Sequence, residues 1–231
     1  MATTKKHIIF DLDDTLWDFQ QNSHDTLIDL FDAYRIGDQG IDIADFIEVF
    51  REINNALWDQ FDEGLVTREM IRKERFPKMF EKLGLNLNGV PMQMQDSFMS
   101  TCSAKPKLVK GVKEVLEKFN SKYKFHILSN GFDEIQFIKI KASGLEPYFD
   151  KIVTSGRAGF RKPEPEIFDF TLNEIGAGKE ECIMIGDNPL SDIEGAFHYG
   201  MNQVYYNVHK KECKITPTHT INDMSKLLEL L

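Results

Sequence analysis

His7-Ile8-Ile9-Phe10-Asp11-Leu12-Asp13-Asp14-Thr15 is the stretch that decides how this chain folds. A short, largely apolar run stops abruptly at carboxylates, which is the signature of a buried strand whose end opens onto a polar edge. Similar runs recur at Phe125-His126-Ile127-Leu128, Ile152-Val153, Cys182-Ile183-Met184-Ile185 and Val204-Tyr205-Tyr206. Helical spacing fills the intervals, as in Val112, Val115, Leu116 and Phe119, and again in Ile167, Phe168 and Leu172. Strands alternating with helices predict an α/β fold, a doubly wound parallel sheet covered on both faces through right-handed crossovers.

Polar signals follow these runs in a fixed order. After Asp11, Asp13 and Thr15 come Ser129-Asn130-Gly131, then Lys162-Pro163, then Gly186-Asp187 with Asp192 beyond it. Open α/β sheets place ligands at the carboxyl ends of their strands, and most of these residues stand at such ends. Asp11 and Asp13 suit covalent attack on phosphorus and proton transfer to the leaving oxygen. Two unit negative charges 4 Å apart repel by about 4 kcal/mol at an effective dielectric near 20, so a carboxylate approaches a phosphate dianion only with help. A divalent cation supplies it, and Mg²⁺ suits oxygen ligands, to which Asp187 and Asp192 add. Gly186 permits close approach of the backbone before Asp187. A hydroxyl and backbone N–H groups at Ser129-Asn130-Gly131 can hold phosphate oxygens, and Lys162 can screen the Asp11–phosphate pair as a point charge.

One segment breaks the alternation. From 17 to 103 only helix periodicity is visible: Leu27, Leu30, Phe31 and Tyr34 share one face, and Phe46, Val49, Phe50, Ile53 and Leu57 form a second stripe. A third helix is predicted to start behind Thr67 as N-cap and to run towards Leu83-Gly84. Residues 1–16 and 104–231 are therefore assigned to an α/β core, and 17–103 to an all-helical insertion. Lys105-Pro106-Lys107 is read as the return linker, and residues 224–231 as a short apolar helix packed on the core.

With 231 residues, 42% hydrophobic and 28% charged, the chain reads as an ordinary globular protein. A net charge of −9 argues against a general binder of nucleic-acid polymers. The apolar run ending at Phe10 is too short for a signal-peptide core or a membrane span, so no membrane partner is expected. Cys102, Cys182 and Cys213 have no metal-ligand spacing and read as unpaired thiols of a reducing cytoplasm. The six histidines form no ligand-spaced cluster, so none is given chemistry.

The ordered set of Asp11-Leu12-Asp13-Asp14-Thr15, Ser129-Asn130, Lys162 and Asp187 with Asp192 resembles the motifs of the haloacid dehalogenase superfamily. The resemblance covers Ile8–Thr15 and Lys105–Tyr206. It implies a Rossmann-like core with Asp11 as nucleophile, Asp13 as acid/base, and Thr15, Ser129, Asn130 and Gly131 as phosphate or substrate binders. Lys162 would stabilise the phosphate, and Asp187 would ligate Mg²⁺ beside Asp11 and the Asp13 backbone carbonyl, with Asp192 in support. An aspartate at position 13 favours phosphatase or phosphomutase over dehalogenase. The helical insertion is similar to a mobile cap, and Asn55-Ala56-Leu57-Trp58 with Phe61 and Gly64, then Ser129-Asn130-Gly131-Phe132, looks like the bacterial pyrimidine 5′-nucleotidases. Trp17, Phe19, Trp58 and Phe61 are candidates for stacking on a nucleobase, and Arg157 and Arg161 depart from the relatives' acidic pattern. The expected partner is a small phosphorylated metabolite, and the expected state a monomer or small homo-oligomer. A sugar-phosphate phosphomutase and a non-catalytic binding protein are the alternatives.

Overall fold

The computed structural model of the chain describes residues 6–85 and 89–231. The polar start at 1–5 lies outside the described residues. Two compact units emerge, one of Met1–Phe19 with Pro106–Leu231 and one of Gln20–Lys105. The divisions thus fall close to, though not at, the 17 and 103 read from the sequence. Trp17 pairs with Leu108, and the Asp18 N–H donates to the Lys107 carbonyl at 3.1 Å, which ties both residues to the first unit.

The first unit is built on a wholly parallel sheet of six strands: β1 (His7–Phe10), β2 (Lys124–Ser129), β3 (Phe149–Thr154), β4 (Cys182–Gly186), β5 (Asn202–Tyr206) and β6 (His219–Ile221). Their order is β3-β2-β1-β4-β5-β6, the doubly wound arrangement whose order reverses beside β1. Every residue of β1 and β4 is buried, as the uninterrupted apolar runs require. Phe10 lies level with Ile127 of β2 and Ile185 of β4. Asp11 then extends the ladder by one bond, its N–H donating to the Ile185 carbonyl at 2.9 Å. The first carboxylate therefore leaves the sheet at the reversal point, level with the ends of both neighbouring strands.

Strand β6 was not legible. It is a three-residue edge strand, its first two residues exposed, and so lacks an apolar run. The carboxyl-terminal segment forms two short helical turns, at Met224–Lys226 and Leu227–Leu230, with Met224 and Leu227 buried.

Among the described residues the second unit holds four α-helices, α1 (Phe19–Ala33, entering it at Gln20), α2 (Ile43–Asp62), α3 (Arg68–Lys82) and α4 (Val90–Ser103), with a 3-10 turn at Ile36–Gln39 between the first two. The Asp42 carboxylate caps α2 by accepting from the Ala44 N–H, and the Thr67 hydroxyl caps α3 by accepting from the Met70 N–H at 3.2 Å. Gly84 follows α3 with φ +67°, the left-handed conformation that ends helices. Helix α4 has no counterpart among the three stripes read from the sequence. Its Pro91-Met92-Gln93-Met94-Gln95 opening interleaves polar and apolar residues, and its burial rests on Met94, Gln95, Phe98 and Cys102. Among the described residues no helix is long and apolar enough to cross a membrane.

Candidate active site

Four loops at the carboxyl ends of the strands bring together side chains far apart in sequence. Asp11 and Lys162, 151 positions apart, meet with Lys162 Nζ donating to Asp11 Oδ1 at 2.7 Å. The same ammonium donates to Asp192 Oδ1 at 2.6 Å and to the Leu128 carbonyl at 2.8 Å, so its three protons have three acceptors. Lys162 is 1% exposed. Burial alone would lower its pKa, but Asp11 and Asp192 outweigh burial and hold it above the usual lysine range.

Oxygens of Asp11, Asp187 and Asp192 all lie within 4.8 Å of one another. Burial, opposed by Lys162 and reinforced by Asp192, pushes the Asp11 carboxyl up to about 7. Burial together with Asp11, Asp14 and Asp192 raises Asp187 well above the carboxylate range. A buried set of hard oxygens holding more negative charge than Lys162 neutralises is the donor chemistry that suits Mg²⁺. The residues fit such an ion.

Local structure explains how so many carboxylates fit. Asp192 sits in a π-helical turn, Pro189–Glu194, and its Oδ2 accepts from the Asn188 N–H at 3.0 Å. A Cβ at Gly186 would overlap the Asp192 carboxylate, so glycine is required there by a side chain six positions on. Asp14 adopts φ 58°, a left-handed conformation that Asp tolerates better than most residues.

Several predicted binders act on their neighbours. Thr15 is buried and its hydroxyl donates to Asp187 Oδ1 at 3.1 Å, orienting that carboxylate. The Asn130 amide clasps the lysine loop on both sides, donating to the Lys162 carbonyl at 3.0 Å and accepting its N–H at 2.9 Å. Ser129 Oγ accepts from the Gly131 N–H at 3.1 Å and from Gln136 Nε2 at 2.6 Å. The Asp13 carboxylate takes no part in the three-carboxylate cluster. Its Oδ1 accepts from Lys139 Nζ at 2.6 Å and its Oδ2 from Gln136 Nε2 at 2.8 Å.

Gln136 and Lys139 were missed by sequence reasoning, since neither belongs to a strand end. The available signal was their i, i+3 spacing on the helix Asp133–Ala142, directly after the Ser129 loop. Trp17 is fully buried, with the Lys139 ammonium 4.6 Å from its ring centroid. Trp58 belongs to the helical unit, where it lies edge-on to Phe61. Arg157 pairs with Glu174 and the Ile152 carbonyl, and Arg161 with Glu164, so both arginines are engaged at the core's surface.

A profile of the haloacid dehalogenase-like hydrolases matches residues 5–200. The chain is 29% identical to the pyrimidine 5′-nucleotidase YjjG of Escherichia coli over 97% of its own length and 96% of the relative's. It is 26% identical to the pyrimidine 5′-nucleotidase PynA of Streptococcus pneumoniae, covering 98% and 94% of the two chains. Among solved structures, the magnesium-bound HAD-hydrolase YfnB of Bacillus subtilis superposes with a TM-score of 0.87 at 27% identity, over 99% of each chain.

Proposed function

The chain belongs to the haloacid dehalogenase-like hydrolase family, and from that premise we propose that it is a Mg²⁺-dependent phosphomonoester hydrolase working through an aspartyl-phosphate. The observation that carries this reading is Asp11 itself, a strand-end carboxylate bonded to a buried lysine and sharing a cluster with Asp187 and Asp192. Asp11, the Asp13 backbone carbonyl and Asp187 would hold the ion, supported by Asp192. Bound there, Mg²⁺ would supply charge neutralisation that lets a carboxylate approach a phosphate dianion.

The chain's own residues do the rest. An Asp11 oxygen attacks phosphorus in line as the bond from phosphorus to the ester oxygen breaks, and the Asp13 carboxyl gives its proton to the departing oxygen. Lys162 steadies Asp11 and the phosphoryl oxygens, while Asn130 fixes the loop that carries Lys162. Asp13, now ionised, takes a proton from water, whose oxygen attacks phosphorus and frees Asp11. Monoester and water become alcohol and inorganic phosphate. Ser129 and the Gly131 turn are assigned to the phosphate.

The division of labour expected from the sequence, a catalytic core and a helical cap over 17–103 that selects the leaving group, is part of this proposal. Pyrimidine 5′-monophosphates are the first candidate substrates, supported by YjjG and PynA. A triose phosphate is the second, because a glyceraldehyde 3-phosphate phosphatase of Methanothermobacter thermautotrophicus matches 98% of the chain at 25% identity.

Phosphate release from a panel of nucleotides, sugar phosphates and small organic phosphates, with Mg²⁺ or with chelator, tests the reading. Mg²⁺-dependent release from at least one monoester is expected. No release from any of them, or release indifferent to chelation, would overturn it.

A further inference from the structure

The least explained feature of the core unit is the way Asp13 is held. Both of its oxygens accept from one helix, Oδ1 from Lys139 and Oδ2 from Gln136, across more than a hundred residues of sequence. Positions three apart on a helix share a face, so one rigid element presents both donors. Lys139 is itself buried, its ammonium lying over Trp17 at 4.6 Å and Phe19 at 6.0 Å. Burying a lysine on aromatic rings fixes the position of its charge, which a solvated surface lysine would not do.

Gln136 is more informative still. It is fully buried, and its Nε2 is shared between Asp13 Oδ2 at 2.8 Å and Ser129 Oγ at 2.6 Å, while its Oε1 is buried with no partner among the described residues. An orphaned buried carbonyl is unfavourable, so the amide orientation is set by what its N–H groups reach. Gly131 makes room for this amide, since a Cβ at that position would overlap Gln136. A glycine in the phosphate turn, a buried amide and a buried lysine thus converge on one half-exposed carboxylate.

We infer that Lys139 and Gln136 are positioning residues that aim the Asp13 carboxyl at the leaving-group oxygen, with Gln136 coupling that aim to the phosphate-binding hydroxyl of Ser129. The inference rests on the acid/base role proposed for Asp13. Proton delivery needs donor and acceptor within hydrogen-bond reach, and a carboxyl free to turn about its side-chain bonds is rarely there. Positioning matters most when the departing oxygen is a poor leaving group.

The test is single-turnover release of the alcohol, which isolates the first step. It compares p-nitrophenyl phosphate, whose phenolate leaves unprotonated, with an aliphatic monoester that the wild-type enzyme turns over. Lys139→Met keeps the aliphatic stem over Trp17, and Gln136→Met keeps the bulk against Gly131. Each is expected to slow the aliphatic ester at least about tenfold more than the aryl ester. KM should change little, and Lys139→Arg should restore most of the rate. Asp13→Asn, run alongside, should show the same selectivity more strongly. If Asp13→Asn is selective while the methionine variants slow both esters equally or neither, the inference falls and the acid/base reading stands. If Asp13→Asn shows no selectivity, that reading itself fails. Should Lys139→Met not fold, Gln136→Met decides alone.

Discussion

The two units each bury a cation, and they do so by opposite means. Lys162, in the α/β unit, is surrounded by carboxylates, and they raise its pKa. Arg75, in the helical unit, is equally buried, but its donors reach the amide oxygens of Gln95 and Asn54 and the Met99 sulfur. The rings of Phe50, Phe76 and Phe98 surround its guanidinium, with centroid distances of 5.4, 5.8 and 4.7 Å. Among the described residues no carboxylate pairs with it, and burial lowers it to about 10. Desolvation acts on both; the surroundings decide the sign. Dipoles and ring faces suffice to hold a cation in the helical unit, whereas Lys162 sits among anions, the arrangement that the proposed mechanism needs where charge changes during reaction.

Substitutions can break that contrast. Asp11→Asn removes the group that Lys162 is placed to serve, and turnover should fall to below about one part in ten thousand while the circular dichroism spectrum stays unchanged. Appreciable residual activity would remove Asp11 from the nucleophile's place. Lys162→Met should cost about a hundredfold to a thousandfold in kcat, as loss of a preorganised charge-stabilising donor does. It should also destabilise metal-free protein by about 3–5 kcal/mol in urea denaturation, because Asp11 and Asp192 lose their partner. Arg75→Met should instead cost only about 1–3 kcal/mol, from amides left unpaired, with kcat unaltered. An Arg75 variant that lost turnover at full stability would erase the distinction.

Asp187→Asn sharpens the same point from the anionic side. Wild-type protein should gain thermal stability on titration with Mg²⁺, and the variant should need roughly tenfold more of the ion or show no gain. A smaller effect is expected from a third buried ionisable group, which loses its charge instead of pairing it. His126 is fully buried against His7, with ring nitrogens 3.0 Å apart, and burial lowers its pKa to about 4. The unfolded chain takes up that proton near pH 6.5, so its contribution is present above that pH and is lost as pH falls towards 4. Up to about 3 kcal/mol is involved. His126→Gln should flatten this acid limb in urea titrations, and an unchanged limb would assign it to other groups.

What was legible in the sequence follows the same physics. Strands β1 to β5 could be read from their apolar runs, shortest in β3 at Ile152-Val153, and the polar residues ending most of them stand out. Supporting contacts could not be read, because they depend on which loops meet. Nothing local marks Asn130 as the clasp of Lys162, Thr15 as a donor to Asp187, or Lys139 as the partner of a carboxylate 126 positions away. Likewise, Gly186 was legible as a place of close approach, but not as the space for Asp192. Nothing local marks Arg75 as a buried cation, because the rings of Phe50, Phe76 and Phe98 that surround it come from three different helices.

The most direct measurement is mass spectrometry of Asp13→Asn protein, acid-quenched during turnover of p-nitrophenyl phosphate with Mg²⁺ and digested. The account predicts one phosphoryl group on the peptide carrying Asp11, decaying slowly after a chase and missing when Asp11→Asn is added. Turnover with that peptide unmodified throughout, or a phosphoryl group on any other residue, would contradict it.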